Sequence, residues 1–246
     1  MTPLHYIALV ALYLAAPVAI TAAPYSAGER LDFKVYFGFI LGGESSMSVE
    51  SGDSSGGPPG LHLVSEAHST RTVDTFYKVR DRVESWVDAD SGFSRRYEKH
   101  LREGKYRDDK LVEYLPAGGR ALLTRRDQAP ESLDVAGRTY DVLAAFYKVR
   151  GMDLKVGESV FLDLHDIDKQ YRLEIKVLRQ ETLQVPAGVF DCIVIEPRLL
   201  SSGLFRKEGE MQVWLTDDVR RMPVMMQSRL YFGRVWAKLI GYRLGN

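Results

Sequence analysis

The chain has 246 residues, of which 45% are hydrophobic, and its 33 basic and 33 acidic side chains give a formal net charge of zero. This balance provides no overall field toward nucleic acid and disfavours nucleic-acid binding, although a local basic patch would escape such a count. The one cysteine excludes an intrachain disulfide, but a chain of this size can bury a sizeable core without cross-links.

The N-terminal segment predicts export. Leu4–Ala23 contains no Asp, Glu, Lys or Arg and ends in small residues, which is typical of a secretory signal peptide. We expect residues 1–23 to be removed after Ala23 and the protein to reach the periplasm of a Gram-negative bacterium. The sequence has no cysteine at the cleavage site to which a lipid could be attached, so we expect no stable membrane anchor after cleavage. Because about 20 apolar residues can also span a bilayer, an uncleaved anchor is the alternative.

The following chain alternates apolar and polar residues with a period of two. Leu31–Phe37 and Arg172–Val177 show this most regularly, which is typical of antiparallel strands with one buried face. Many such runs, separated by Gly- and Pro-containing turns, predict a mainly β fold over residues 24–246 as one domain, either an antiparallel curved sheet or an open β-barrel. Ser51–Gly60 is expected to be a hairpin tip, and Arg125–Arg138 a surface loop or a linker.

One segment has helical periodicity instead. In Tyr140–Arg150, Val142, Phe146 and Val149 recur at i, i+4 and i+7. Thr139 or Asp141 can cap its start and Gly151 can end it. We therefore expect a short amphipathic helix packed on the concave face of the sheet.

Catalytic and metal-binding motifs are not found in the sequence. It contains no Gly-x-Ser-x-Gly elbow, phosphate-binding loop or His-Glu-x-x-His pair. The acidic cluster Asp163–Asp168, which includes His165, lacks the glycine and glutamate of a calcium loop and is interpreted as a turn. Cys192 lies in an apolar strand and is expected to be a buried structural thiol. The sequence thus predicts a non-enzymatic protein without cofactor or metal.

Aromatic residues in strand-like segments are the candidate ligand site. If the sheet curves around a cavity, they would line an apolar pocket; otherwise they would fill the core of the sheet. The residues proposed for this aromatic pocket are Tyr36, Phe39, Trp86, Trp214 and Trp236.

Several segments, in this order, resemble a family of exported bacterial proteins, the domain of unknown function 3108. They are Gly28–Val35, Tyr77–Asp81, Asp141–Arg150, Val185–Phe190 and Val213–Asp218. The resemblance covers nearly all of the chain beyond the signal segment. It implies an exported, mostly β protein and no particular reaction.

Three functions follow as hypotheses. The first is a non-enzymatic cell-envelope protein that binds a lipid or another apolar ligand in a concave β-sheet. The second is an adaptor that binds another envelope protein through a sheet edge or an exposed patch. The third is a hydrolase, which no sequence motif supports.

Overall fold

The computed structural model describes residues 23–52, 60–115, 119–201, 204–205, 211–230 and 233–246. Residues 1–22, which hold nearly all of the predicted signal peptide, lie outside the described residues, as does most of the predicted tip Ser51–Gly60. Cleavage after Ala23, the anchor alternative and the single domain over 24–246 therefore stay predictions.

Most of the described chain is β-strand, with two short helices. The helices are α1 (Arg71–Asp74) and α2 (Val142–Arg150). The strands are β1 (Arg30–Phe37), β2 (Ile40–Gly52), β3 (Gly60–Ser69), β4 (Arg80–Asp88), β5 (Ser94–Glu103), β6 (Tyr106–Tyr114), β7 (Arg120–Arg125), β8 (Glu131–Asp134), β9 (Ser159–Asp166), β10 (Lys169–Val185), β11 (Gly188–Ser201), β12 (Leu204–Phe205), β13 (Met211–Thr216), β14 (Pro223–Leu230) and β15 (Gly233–Arg243).

The strands form one antiparallel, curved and unclosed sheet, which confirms the predicted fold class. Its order is β8-β7-β6-β5-β4-β3-β2-β1-β15-β14-β13-β11-β10-β9, and β12 pairs with β11. The first and last strands of the chain thus lie side by side near the middle of the sheet. The segment Arg125–Arg138, expected to be a loop or linker, differs from that expectation because it contains the edge strand β8, which pairs with β7.

The predicted helix is present as α2 and packs against the sheet. Asp141 caps it, accepting hydrogen bonds from the backbone N–H groups of Leu143 and Ala144. On one side, Leu143 and Tyr147 share a core cluster with Leu31 and Phe33 of β1. On its other side, α2 contributes Ala145 and Val149 to a second cluster with β10, β11 and β13. Helix and apolar side chains together fill this part of the concave face.

The segment before α2 and several side chains connect the two ends of the open sheet. The backbone N–H of His165 in β9 donates to the carbonyl of Tyr140, at 2.8 Å. The Tyr114 hydroxyl of β6 lies 3.1 Å from His165 Nδ1. Ile167, in the turn after β9, packs in a cluster with Tyr97 and other residues of β5, β6 and β7. We call this contact between the β9–β10 turn and strands β5–β7 the seam.

Candidate functional site

Two of the predicted site residues lie opposite each other across β1 and β15. The register pairs Tyr36 with Trp236. Along β1, Tyr36 alternates with Leu31 and Phe33, which are fully buried in the cluster that contains α2. Since successive side chains of a strand point to opposite faces, Tyr36 and Trp236 lie on the face of the sheet that does not carry α2.

The turn between β10 and β11 reaches this pair of aromatic residues. The backbone N–H of Ala187 donates to the carbonyl of Leu239 in β15, at 3.1 Å, which brings the hairpin tip against that strand. The result is a groove of about 700 Å³, which we call the aromatic groove. Its lining residues are Tyr36, Gly38, Phe39, Gln184, Val185, Pro186, Trp236 and Lys238.

Lys238 gives the aromatic groove its charge. Its Nζ lies 5.8 Å from the ring centroid of Tyr36 and 5.9 Å from that of Trp236, within reach of a cation–π interaction with each. Among the residues that the structure describes, no carboxylate lies within ion-pair distance of this half-buried ammonium. The groove therefore combines an apolar aromatic wall with a positive charge available to an anion.

The five predicted residues separate into three groups. Tyr36, Trp236 and the fully exposed Phe39 meet at the aromatic groove. Trp86 lies elsewhere: its ring stacks on His62 with centroids 4.1 Å apart, and the Arg96 guanidinium lies 5.3 Å from its centroid. Trp214 is buried in the core, and its Nε1 donates to Glu181 at 2.5 Å. The ligand-binding role of all five stays a prediction.

Sequence reasoning missed Lys238 and the tip of the β10–β11 hairpin. Pro186 was visible as part of a tight turn, but nothing in the sequence connects that turn to β15. Lys238 stands two residues after Trp236, and residues i and i+2 of a strand share a face. That spacing was the available signal for a cation beside the aromatic pair.

A second group of polar side chains has the composition of a metal site. One ligand atom from each of Glu84, Glu98 and His100 lies within 4.8 Å of the others. Arginines already neutralise both carboxylates, because Arg82 Nη2 lies 2.8 Å from Glu84 and Arg96 lies 2.5 Å from Glu98. We therefore assign this group to a partly buried salt-bridge network on β4 and β5.

His100 belongs to the same network. Its Nδ1 lies 2.8 Å from Asp109 and its Nε2 lies 3.1 Å from Glu98. The hydrogen bond to Asp109, followed by that to Glu98, raises the pKa of this imidazole against the opposing effect of burial. The positive form is thus favoured, and a protonated imidazole cannot bind a metal ion through either nitrogen.

Cys192 is a free thiol and is buried, in line with the prediction. Burial raises its pKa to about 12, and a thiol with so high a pKa carries almost no thiolate at neutral pH. This geometry assigns Cys192 to the packing of β11 rather than to nucleophilic chemistry.

Within the described ranges, neither helix has the length and apolar character needed to cross a membrane.

Comparisons with known proteins place the chain among β proteins of unknown function. The sequence profile of the family described as "Protein of unknown function (DUF3108)" matches residues 32–240. No curated protein matches the sequence. A β-barrel-like protein of the DUF1849 domain from Brucella abortus has 12% identity and a TM-score of 0.62, covering 90% of this chain and 99% of that one. This likeness shows the fold alone.

Two further solved structures are similar over most of the chain but superpose less well. A candidate lipoprotein from Parabacteroides distasonis has 12% identity and a TM-score of 0.36, covering 89% of this chain and 97% of that one. A candidate exported protein with a YmcC-like fold from Bacteroides fragilis has 12% identity and a TM-score of 0.34, with the same two coverages.

Proposed function

The chain belongs to the DUF3108 family of proteins of unknown function, and from that premise we propose that it is a non-catalytic binding protein of the cell envelope. Its ligand is an apolar molecule with one anionic group, such as a fatty acid, held in the aromatic groove. The predicted signal peptide supports the envelope location. The observation that carries the proposal is the half-buried ammonium of Lys238 beside the rings of Tyr36 and Trp236.

The size and lining of the aromatic groove fit such a ligand. Ligand sites commonly have volumes of about 300–1,000 Å³, with mostly apolar walls and few polar groups. Val185 and Pro186 line the groove together with the aromatic rings, so an acyl chain would contact apolar side chains from both the β10–β11 hairpin and β15. A carboxylate or phosphate at one end would neutralise Lys238, which also rests on the aromatic wall.

Fluorescence titration with a polyene fatty acid tests this proposal. We expect saturable binding, and Trp236→Ala should raise Kd at least about tenfold, because it removes a large apolar contact. Trp86→Ala is the matched control: Trp86 also lies on a strand beneath a cation, Arg96, but outside the groove. Absence of saturable binding, or an equal loss of affinity in both variants, would overturn the proposal.

The role of Lys238 is tested separately with the fatty acid and its methyl ester. Lys238→Met removes the ammonium but keeps an apolar stem of similar length. We expect the variant to lose affinity for the acid and to keep that for the ester. An unchanged preference for the acid would show that Lys238 does not hold the anionic group.

A further inference from the structure

Three loops that connect neighbouring strands lie at the same end of the sheet. Because β1 to β6 pair consecutively and antiparallel, the β1–β2, β3–β4 and β5–β6 connections emerge at the same ends of their strands. The backbone N–H of Thr70 donates to the carbonyl of Gly42 at 2.9 Å, which ties the second connection to β2. The N–H of Gly104 donates to the carbonyl of Lys78 at 2.8 Å, which ties the third to the second.

Large apolar side chains project from these connected segments. Ile40 is 65% exposed and Phe76 is 87% exposed. We call this exposed group the apolar rim; it consists of Phe39, Ile40, Phe76, Tyr77 and Tyr106. Large exposed apolar side chains that gather at one end of a sheet indicate a site of interaction, whereas those scattered singly over a surface are ordinary.

The same three connections are basic. Residues 38–39, 70–79 and 104–105 contain Arg71, Lys78 and Lys105, and their one carboxylate is Asp74. Asp74 is neutralised by Arg80, whose Nη2 lies 2.6 Å from it. Within the described part of the chain, Arg71, Lys78 and Lys105 form no direct ion pair, although Lys78 lies near enough to Asp74 to help lower the pKa of that carboxyl. These three connections therefore carry more positive than negative charge, although Glu103 borders them and the whole chain has no net charge.

We propose that the apolar rim and these three basic residues dock the protein on an anionic phospholipid bilayer. Aromatic residues partition to the interface between lipid head groups and acyl chains, and nearby lysine and arginine residues are attracted to anionic lipids. The apolar side chains stand on three separate tips and remain highly exposed, which suits insertion between lipids. This docking goes beyond ligand binding in the aromatic groove and depends on different side chains, apart from Phe39.

Sedimentation with extruded vesicles tests the docking, using protein purified without detergent and its intact mass to establish the N-terminus. We expect binding to phosphatidylcholine vesicles that contain about 30% phosphatidylglycerol, and at least about tenfold weaker binding to phosphatidylcholine alone. Salt at about 0.5 M should weaken the binding, since it screens exposed charges. Failure to bind the anionic vesicles would overturn the proposal.

Paired substitutions locate the surface. Ile40→Ser with Phe76→Ser should weaken binding at least about tenfold, because two apolar side chains no longer insert. Lys78→Glu with Lys105→Glu should abolish the preference for anionic vesicles. Val156→Ser with Val219→Ser changes two exposed residues in loops at the opposite end of the strands and should leave binding unchanged. Equal loss in that control would overturn the proposal.

The aromatic groove and the docking surface can fail independently. The Ile40/Phe76 variant is expected to keep the fatty-acid affinity of the parent protein, since neither residue lines the groove. Trp236→Ala should keep the vesicle binding. Circular dichroism confirms that each variant is folded before it is compared.

Discussion

Arg150 is a charged side chain that the fold buries completely. Its Nη1 and Nη2 lie 2.6 and 2.8 Å from the two carboxylate oxygens of Glu29. The guanidinium also donates to the carbonyls of Pro24 and Arg220. This single residue thus joins the end of α2 to the N-terminal segment and to the β13–β14 connection. From the sequence, Arg150 was expected only as the last residue of the helical segment.

Arg150→Met should lower the free energy of unfolding by about 3–5 kcal/mol, because it leaves the Glu29 carboxylate buried without its partner. Urea denaturation measures this change. Lys155→Met is the control: Lys155 pairs with Asp153 at the surface, with both side chains more than half exposed, and its loss should leave the free energy of unfolding nearly unchanged.

A double variant separates the charge from the packing. Glu29→Leu combined with Arg150→Met removes both buried charges, so it should be more stable than Arg150→Met alone. If the double variant is no more stable, the loss in the single variant comes from packing rather than from an unpaired carboxylate.

At the scale of elements, the start of α2 depends on a buried cap. Asp141 accepts hydrogen bonds from two backbone N–H groups and from the hydroxyls of Ser85 and Ser94, at 2.5 and 2.6 Å. Burial raises the pKa of Asp141 to about 6, against the effect of these hydrogen bonds. The cap therefore fixes α2 to β4 and β5 as well as satisfying the helix terminus.

Asp141→Ala should lower the free energy of unfolding by about 2–4 kcal/mol near pH 5, since it leaves buried donors without an acceptor. The pKa of Asp141 is higher in the folded than in the unfolded protein. The free energy of unfolding that protonated Asp141 contributes is therefore fully present below pH 3.8 and is lost as the pH rises through about 6. The difference in free energy of unfolding between the parent protein and Asp141→Ala should thus be smaller at pH 8 than at pH 5.

Denaturation of both proteins at the two pH values measures that difference. Thr70→Ala provides the matched control, because Thr70 caps the four-residue helix α1 at the surface and its loss should change stability by less than about 1 kcal/mol. A difference for Asp141→Ala that grows toward pH 8 would contradict the expected protonation.

The individual elements differ in how far the sequence predicts them. β1 follows from the alternation of Leu31 and Phe33 with polar residues. β2 was not predicted. Ser46 and Ser48 alternate with Met47 and Val49, but over four positions only, and the preceding Gly42–Gly43 is typical of a turn. The structure buries both serines as well, so both faces of that strand are covered.

At the scale of the whole molecule, alternation predicts which side chains share a face but not which strands pair. β1 and β15 lie at opposite ends of the chain and are neighbours in the sheet. The aromatic groove depends on that pairing and on the contact of Ala187 with Leu239. Neither is a local property of the sequence, so Tyr36, Phe39 and Trp236 could be proposed as site residues but not separated from Trp86 and Trp214.

At the scale of the seam between the two ends of the sheet, we expect stability to depend on the protonation of His165. Its side chain is buried, and burial lowers its pKa against the weaker influence of Asp166 and Asp168. Burial also raises the pKa of Tyr114, so its hydroxyl keeps its proton at a position 3.1 Å from Nδ1. In the neutral tautomer whose Nδ1 carries no proton, the hydroxyl donates to Nδ1. A protonated His165 could not accept that hydrogen bond.

The stability contributed by neutral His165 is therefore present above the unfolded pKa of about 6.5 and is lost as the pH falls through the lower folded value. His165→Gln keeps an acceptor for Tyr114 but does not titrate. Between about pH 7.5 and 5, urea denaturation should show a larger loss of stability for the parent protein than for this variant. His68→Gln, at a half-exposed position, is the control and should keep the pH dependence of the parent. An unchanged pH dependence in His165→Gln would mean that protonation of His165 does not lower the stability of the fold.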